Sequence, residues 1–328
     1  MNTKNKIRVA VLRGGPSSEY EVSLKTGAGV LANLGEKYQG IDVLIDKQGV
    51  WHIDGVPVKP EKIMLRADVV FLALHGEYGE DGTVQKLLET HSIPFTGSRT
   101  LASAIGMNKV LTKKIMKQYG IPTPHSRVLR KDEMTIQEMA GDLFRTFLQP
   151  SVIKPATAGS SVGVSIAHSA HEIEEALEKA FAVSDTVLVE ECIKGKEATC
   201  GVLEHFRDQE LYALPPVEIL PKGHQKFFDF ESKYSDENGA KEICPGNFSR
   251  KEIEEMEHLS KALHKAVGCR HYSRTDFMVH PKRGVFCLEI NTLPGLTPNS
   301  LLPKEMIAVG SSYSALLDHL ITLALEKK

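Results

Sequence analysis

Apolar residues follow two periods along this chain. Continuous or alternating runs mark strands, and recurrence every three or four positions marks helices. In the first hundred residues the two patterns alternate. Residues 7–12, 41–45 and 68–74 read as strands. The last is nearly continuous in apolar residues, as a central parallel strand is. Residues 93–95 read as a short fourth strand. A helix over about residues 19–34 follows the loop Arg13-Gly14-Gly15-Pro16-Ser17-Ser18, with Ser17 or Ser18 as its N-cap. This is the pattern of a small open α/β domain, where ligands sit beyond the carboxyl ends of strands.

A boundary falls near residue 100. Asn108 can cap a helix over residues 109–119, and Gly120, Pro122 and Pro124 stop it. Strands follow at 152–154, 164–166 and 186–190, with a helix over 170–182. Gly195 marks the turn into a third unit, mostly of strands, with helices at 251–267 and 312–325. Residues 220–250 are long, polar and irregular, and loops of that length are commonly functional lids or disordered segments. The expected architecture is α/β with three domains, 1–100, 101–193 and 194–328, and a lid over 220–250.

The third unit holds the most informative spacing. Arg274 and Asp276, then Glu289 and Asn291, are each spaced i, i+2, so each pair shares one strand face. Pro281-Lys282-Arg283-Gly284 reads as a four-residue hairpin turn pairing His280 with Val285. That register sets Asp276 opposite Glu289 and Arg274 opposite Asn291. Thr275, Phe277 and Val279 then share the other face with Phe286, Leu288 and Ile290, which suits burial. One guanidinium and three oxygen ligands gather on a single face, beside Met278 and Cys287. Mg²⁺ takes oxygen ligands and shares them with nucleotide phosphates. An Arg beside it can bind phosphoryl oxygens or a developing oxyanion. Two solvated salt bridges are the alternative, and a one-residue slip would turn the pairs apart.

Composition narrows the function. A chain of 328 residues exceeds one compact core, and 41% hydrophobic with 25% charged residues is ordinary for a globular protein. A net charge of -2 gives no electrostatic case for nucleic acid or an anionic membrane. The longest apolar run, residues 67–74, is too short to span a bilayer. The first residues lead into a strand, not the apolar core of a signal peptide. Five cysteines (Cys192, Cys200, Cys244, Cys269 and Cys287) lack metal-type spacing. They read as reduced thiols of a cytoplasmic protein.

Other motifs leave two readings each. Gly159-Ser160-Ser161-Val162-Gly163 could let backbone N–H groups approach phosphates, or be a plain hairpin turn. Lys154 and Lys109 nearby strengthen the first. It is neither a P-loop nor a dinucleotide fingerprint. Glu190 and Glu191 end a strand, and only one of them can face a given pocket. An acid there can bind a ribose hydroxyl or lie solvated, and Glu197 is similarly ambiguous. Glu19 falls in a first helical turn, where the macrodipole alone favours an acid, or it binds an ammonium group. His75 stands at a strand's carboxyl end as a loop hydrogen-bonder or a ligand contact. Gly295 could lend an oxyanion its N–H, and Ser300 could hold a carboxylate.

Taken in order, these pieces are recognisable. Gly14-Gly15, Ser17, Glu19 and Glu21-Val22-Ser23 are followed by His75-Gly76 and Gly79-Glu80-Asp81-Gly82. Then come Gly159-Ser160-Ser161-Val162-Gly163, Lys233-Tyr234, Arg274-Thr275-Asp276, Glu289-Ile290-Asn291-Thr292, Pro294-Gly295, Thr297 and Ser300-Leu301. Across essentially the whole chain the set resembles the D-alanine–D-alanine ligase family of the ATP-grasp superfamily.

The resemblance implies three domains, with ATP between the second and third, and a cytoplasmic homodimer formed through the first domain. ATP phosphorylates the carboxylate of one D-alanine, and the amine of a second attacks the acyl phosphate. By motif position Lys109, Lys154, Ser161 and Lys233 serve ATP, and Glu190, Ile193 and Glu197 line its adenine and ribose pocket. Asp276, Glu289 and Asn291 hold two Mg²⁺ or Mn²⁺ ions. Glu19 binds the first ammonium and joins Ser160 and Tyr234 in a hydrogen-bond network. Arg274 and the Gly295 N–H stabilise the tetrahedral intermediate. His75, Ser300 and Leu301 join Glu19 in binding D-alanine. In the family, Tyr at position 234 goes with an amine nucleophile and Phe with D-lactate. Asn108 departs from the usual Asp, and Ala156-Thr157-Ala158 from a charged or longer polar residue. The rivals are another ATP-grasp ligase, a non-catalytic nucleotide-binding homologue and, least, a nicotinamide enzyme.

Overall fold

The computed structural model describes residues 6–157, 163–220 and 240–326. Gly159, Ser160, Ser161, Lys233, Tyr234 and most of the expected lid lie outside the described residues. Three sheets account for the described strands.

The first sheet has β1 (Ile7–Gly14), β2 (Tyr38–Ile45), β3 (Trp51–Ile53), β4 (Val56–Val58) and β5 (Val69–Leu72), in the order β4-β3-β2-β1-β5. β1 runs parallel to β2 and β5. Buried Val9, Val11, Val69 and Phe71 give it the two-sided apolar character of a covered parallel sheet. The helix Tyr20–Asn33 follows β1, but Glu19, not Ser17 or Ser18, stands at its N-cap and makes no side-chain cap bond; Ser17 Oγ accepts from the Glu19 N–H, before the helix begins. Two other features differ. Residues 93–95 form no strand; Phe95 makes a single parallel bridge to Val70, since Pro94 has no N–H to extend a ladder. The hairpin β3–β4 was not anticipated, although Asp54-Gly55 joins its strands with φ of +52° and +76°. Asp-Gly between apolar runs is a strong hairpin signal.

The second sheet has β6 (Ser126–Arg130), β7 (Ser151–Pro155), β8 (Ser165–Ala167) and β9 (Thr186–Glu191), ordered β6-β9-β7-β8 and antiparallel throughout. Helices Ile136–Thr146 and Ala170–Phe181 share a core with it through Leu143, Ile153, Ile173, Leu177, Val187 and Val189. Strand alternation turns Lys154 and Glu190 away from that core.

The third sheet has β10 (Lys196–Phe206), β11 (Gln209–Ala213), β12 (Val217–Leu220), β13 (Lys241–Ile243), β14 (Tyr272–His280) and β15 (Gly284–Asn291), ordered β13-β12-β10-β14-β15 with β11 paired to β10. The helix Arg250–Val267 packs Met256, Leu259 and Leu263 against Ala198, Phe277 and Val279. Ala102 and Met116, from helices Thr100–Met107 and Lys109–Gln118, belong to this core too. Leu316, Leu320 and Ile321 of the last helix, Tyr313–Leu325, belong to the core of the first sheet.

The β14–β15 register is the expected one, reached by another route. Asp276 opposes Glu289 and Arg274 opposes Asn291. The turn, however, has three residues: His280 pairs with Gly284, whose φ is +85°. A bulge then leaves Leu288 unpaired, since Phe277 opposes Cys287 while Asp276 opposes Glu289. The extra residue cancels the shorter turn. It also reverses the faces beyond it, so Cys287 is buried with Phe277, Val279 and Val285 and does not border the charged face.

Glu204 ties β10 to its neighbours. Its carboxylate accepts from the His271 N–H at 2.6 Å and lies 3.7 Å from His264 Nε2, and its carbonyl accepts from His319 Nε2 at 2.8 Å. Burial alone would raise its pKa, but the nearby His264 ring and the bond from the His271 N–H outweigh burial and lower it to about 2. A carboxyl with a lowered folded pKa stabilises above its ordinary value, and that contribution disappears as pH falls through the folded value. Glu204→Gln is therefore expected to melt lower than the parent at pH 7, with the difference shrinking between about pH 4.5 and 2. Thermal melts across that range check it.

Candidate active site

The charged face of β14 and β15 forms one side of the site. Arg274 Nε and Nη2 donate to the two oxygens of Asp276 at 2.9 and 3.0 Å. Thr199, opposite Asp276 on β10, donates its hydroxyl to the same carboxylate at 2.6 Å. Burial works against the Arg274 charge, but Asp276 outweighs it and holds the guanidinium protonated. Asn291 Oδ1 accepts from the Leu293 N–H at 3.1 Å. Lys109 Nζ, at the start of the helix Lys109–Gln118, lies 3.5 Å from Glu289 Oε2. Asn108 caps that helix by accepting from the Val110 and Leu111 N–H groups, so an amide does the capping expected of the usual Asp.

Asp276, Glu289 and Asn291 offer only oxygen, which suits Mg²⁺ or Mn²⁺. Among the described residues no three His, Cys, Asp or Glu side chains converge on one point. Two carboxylates and an amide leave positions for phosphate oxygens and water, the usual division for Mg²⁺.

The other side comes from β7, β9 and the helix Lys109–Gln118. Lys154 Nζ lies 2.6 Å from Glu190 Oε2, and Lys113 Nζ contacts the other oxygen, Oε1. Glu190 is 1% exposed and Lys113 3%. Burial opposes the Glu190 charge, yet Lys154 and Lys113 outweigh it and keep the carboxylate ionised below its ordinary range. Lys154 is buried too, and the charges of Glu190, Glu289 and Glu197 more than offset that, raising its pKa. Its ammonium therefore interacts with both sides. Glu191 faces elsewhere: it binds Arg283 at 2.8 and 2.9 Å and accepts from the His125 N–H. Of the acid pair only Glu190 lies with the lysines. Ile193, three residues further on, is buried.

The loops after β1 and β5 close one end. Glu19 is buried at the N-terminus of the helix Tyr20–Asn33. A Cβ on Gly76, whose φ is +70°, would come within 2.4 Å of Ser17 Oγ and 3.3 Å of Glu19 Oε2. Glycine is required where these loops meet. His75 Nε2 bonds Thr26 Oγ1 at 2.9 Å, and burial lowers its pKa to about 4, so the ring is neutral near pH 7. Glu80 Oε2 accepts from the Gly76 N–H at 2.9 Å. Burial, then the charge of Glu19, raises the Glu80 pKa to about 8. Arg274 bears on both His75 and Glu80. Beyond β15, Ser300 Oγ accepts from the Thr297 N–H at 3.0 Å, and a Cβ on Gly295 would lie 3.0 Å from that oxygen. Ser300 and Leu301 open the helix Leu301–Ala308.

Four contributors escaped the sequence reading. Lys113 sits one turn after Lys109 on a buried helical face with Thr112 and Met116, where lysine is out of place. Thr199 left no signal beyond its parity in β10. Glu80 lay inside a quoted motif without a role. Glu305 is an acid within an apolar helix and is fully buried. Its Oε1 accepts from the N–H of Gly201, the residue paired with Arg274, at 2.8 Å. Burial raises its pKa to about 8.

Lys154 of the second sheet, brought near the carboxylates of the third and beside a parallel α/β unit, is the arrangement of an ATP-grasp enzyme. The sequence profiles described as D-ala D-ala ligase N-terminus and C-terminus match residues 8–64 with 54–98, and 115–322. The chain is 39% identical over 324 residues to a D-alanine–D-alanine ligase of Syntrophotalea carbinolica, covering 98% of this chain and 97% of that one. It is similar to the solved D-alanine–D-alanine ligase of Bacillus anthracis, at 36% identity and TM-score 0.80, with 97% of each chain covered. It is also similar to the VanG D-Ala:D-Ser ligase of Enterococcus faecalis, at 31% identity and TM-score 0.83, covering 97% of this chain and 99% of that one. The chain belongs to the D-alanine–D-alanine ligase family.

Glu305 holds its proton in the folded chain and releases it in the unfolded chain between its ordinary value and about 8. Its contribution to stability therefore falls as pH rises through that window. Glu305→Gln is expected to gain in melting temperature over the parent from pH 5 to pH 8, which differential scanning calorimetry across that range would record.

Proposed function

We propose that this enzyme joins two D-alanines at the expense of ATP. The γ-phosphoryl group passes to a carboxylate oxygen of the first D-alanine, giving an acyl phosphate and ADP. The amine of the second D-alanine attacks the acyl carbon, and the tetrahedral adduct expels phosphate, leaving D-alanyl-D-alanine. A carboxylate is a poor acyl donor, and phosphorylation supplies its leaving group. The product serves as a peptidoglycan precursor, which fits a cytoplasmic enzyme. Dimerisation through the first domain fits the family.

The observation that carries this reading is the site itself: Lys109 and Lys154 interact with Glu289, and Arg274 stands beside it. Lysines of one side offset phosphate charge. Arg274, oriented by Asp276 and Thr199, is pre-set for an oxyanion, together with the Gly295 N–H. Asp276, Glu289 and Asn291 would hold two Mg²⁺ or Mn²⁺ ions, which supply charge neutralisation for phosphoryl transfer. Glu19 would receive the first ammonium, and Ser300 with Leu301 the second carboxylate at a helix N-terminus. His75, neutral, fixes the loop beside them. Glu190, Ile193 and Glu197 would bound the adenine and ribose. Ser160, Ser161, Lys233 and Tyr234 take their roles from motif position.

The similarity to a D-Ala:D-Ser ligase supports D-serine as a second reading for the amine substrate. Phosphate release with ATP, Mg²⁺ and D-alanine tests both, with L-alanine, D-lactate and D-serine in parallel and products weighed by mass spectrometry. D-alanine alone is expected to give a dipeptide, and faster turnover with added D-serine would replace that assignment. ATP turnover without any dependence on D-alanine would overturn the reaction. Arg274→Met is expected to lower kcat by about 10²–10³, the usual loss of an oxyanion donor.

A further inference from the structure

Two ammonium groups meet one buried carboxylate in the second sheet, and they are not equivalent. Lys113 Nζ contacts Glu190 Oε1, donates to Thr123 Oγ1 at 2.7 Å and donates to the Pro124 carbonyl at 3.2 Å. Thr123 in turn donates to the Cys287 carbonyl of β15 at 2.9 Å. The two hydrogen bonds and the ion pair of Lys113 are all with groups that belong to the protein frame. Lys113 cannot follow a ligand without abandoning them. Lys154 meets the other oxygen of Glu190, and its further charged neighbours, Glu289 and Glu197, belong to the third sheet.

Suppose Lys154 turns to a phosphoryl oxygen. Glu190, at 1% exposure, would then lose half of its charge compensation. A buried carboxylate without a partner is strongly unfavourable, so Lys154 would be held back if it were the sole partner. We infer that Lys113 is a positioning residue: it holds Glu190 ionised and in place, and so releases Lys154 to the nucleotide. This deepens the ATP-dependent reading of the site and rests on it.

The test compares the parent with Lys113→Met, Lys113→Arg, Glu190→Gln and the double variant Lys113→Met/Glu190→Gln. Wild-type turnover with ATP and D-alanine is measured first, so failure of the functional reading shows there and not in the variants. ATP binding is then titrated by calorimetry without D-alanine, alongside kcat/KM for ATP and KM for D-alanine. Lys113→Met is expected to weaken ATP binding and lower kcat/KM for ATP at least tenfold, with KM for D-alanine within about twofold. Lys113→Arg, which keeps the charge, should retain most of the affinity. In the Glu190→Gln background no charge needs compensating, so adding Lys113→Met should change ATP affinity less than threefold. That last comparison also serves if Lys113→Met alone fails to fold. The inference is overturned if Lys113→Met binds ATP like the parent. It is equally overturned if the Lys113 substitution costs as much in the Glu190→Gln background as in the parent, which marks a purely structural lysine.

Discussion

A carboxyl group inside a protein must meet a cation, accept hydrogen bonds or keep its proton, and the site is organised by that constraint. Glu190 takes the first course with two lysines, and Asp276 takes it with Arg274. Glu80 and Glu305 take the last, each bonded to one backbone N–H and each titrating at about 8. The result is a site whose ionised acids are those in contact with cations. The neutral ones brace the loops and the strand behind. Breaking a buried ion pair on one side costs about 3–5 kcal/mol. The paired groups therefore constrain one another as firmly as apolar packing does elsewhere.

The same logic runs through the β14–β15 hairpin. Arg274, Asp276, Glu289 and Asn291 work together only if one register is kept. Leu288 secures it by standing outside the ladder, and Gly284 makes the shorter turn possible. The hydrophobic residues on the reverse face, Phe277, Val279, Val285 and Cys287, fill the core under the helix Arg250–Val267. Slipping the strand by one would expose this core and bury the charges. Packing on one side of the sheet thus protects chemistry on the other.

Much of this was legible in the chain because it depends on local periods. The i, i+2 spacing gave the right partners across the hairpin, although by compensating errors: a turn read one residue too long and a bulge that no pattern announces. Asn108 caps its helix where expected, since a cap is a matter of adjacent residues, whereas Glu19 stands where Ser17 or Ser18 was expected to cap the first helix. The hairpin at Asp54-Gly55 was overlooked despite its turn signature. Lys113 and Thr199 were invisible for a different reason. Their roles arise from elements brought together by tertiary packing, and only the oddity of a lysine on a buried helical face hinted at one of them. The roles of Ser160, Ser161, Lys233 and Tyr234 rest on motif order alone. The fold class and family needed no such contacts, because ordered motifs along the whole chain carried them.

Leu316, Leu320 and Ile321 pack in the same core as Val9, Val11 and Phe71, so the first sheet is completed by residues far from it in sequence. During translation that sheet must wait, with part of its apolar surface open, until the helix Tyr313–Leu325 emerges. The intervening units can form local structure sooner, since their own sheets and helices are near in sequence. One long-range contact thus spans both intervening sheets, and closing so long a loop costs more entropy than any pairing within them.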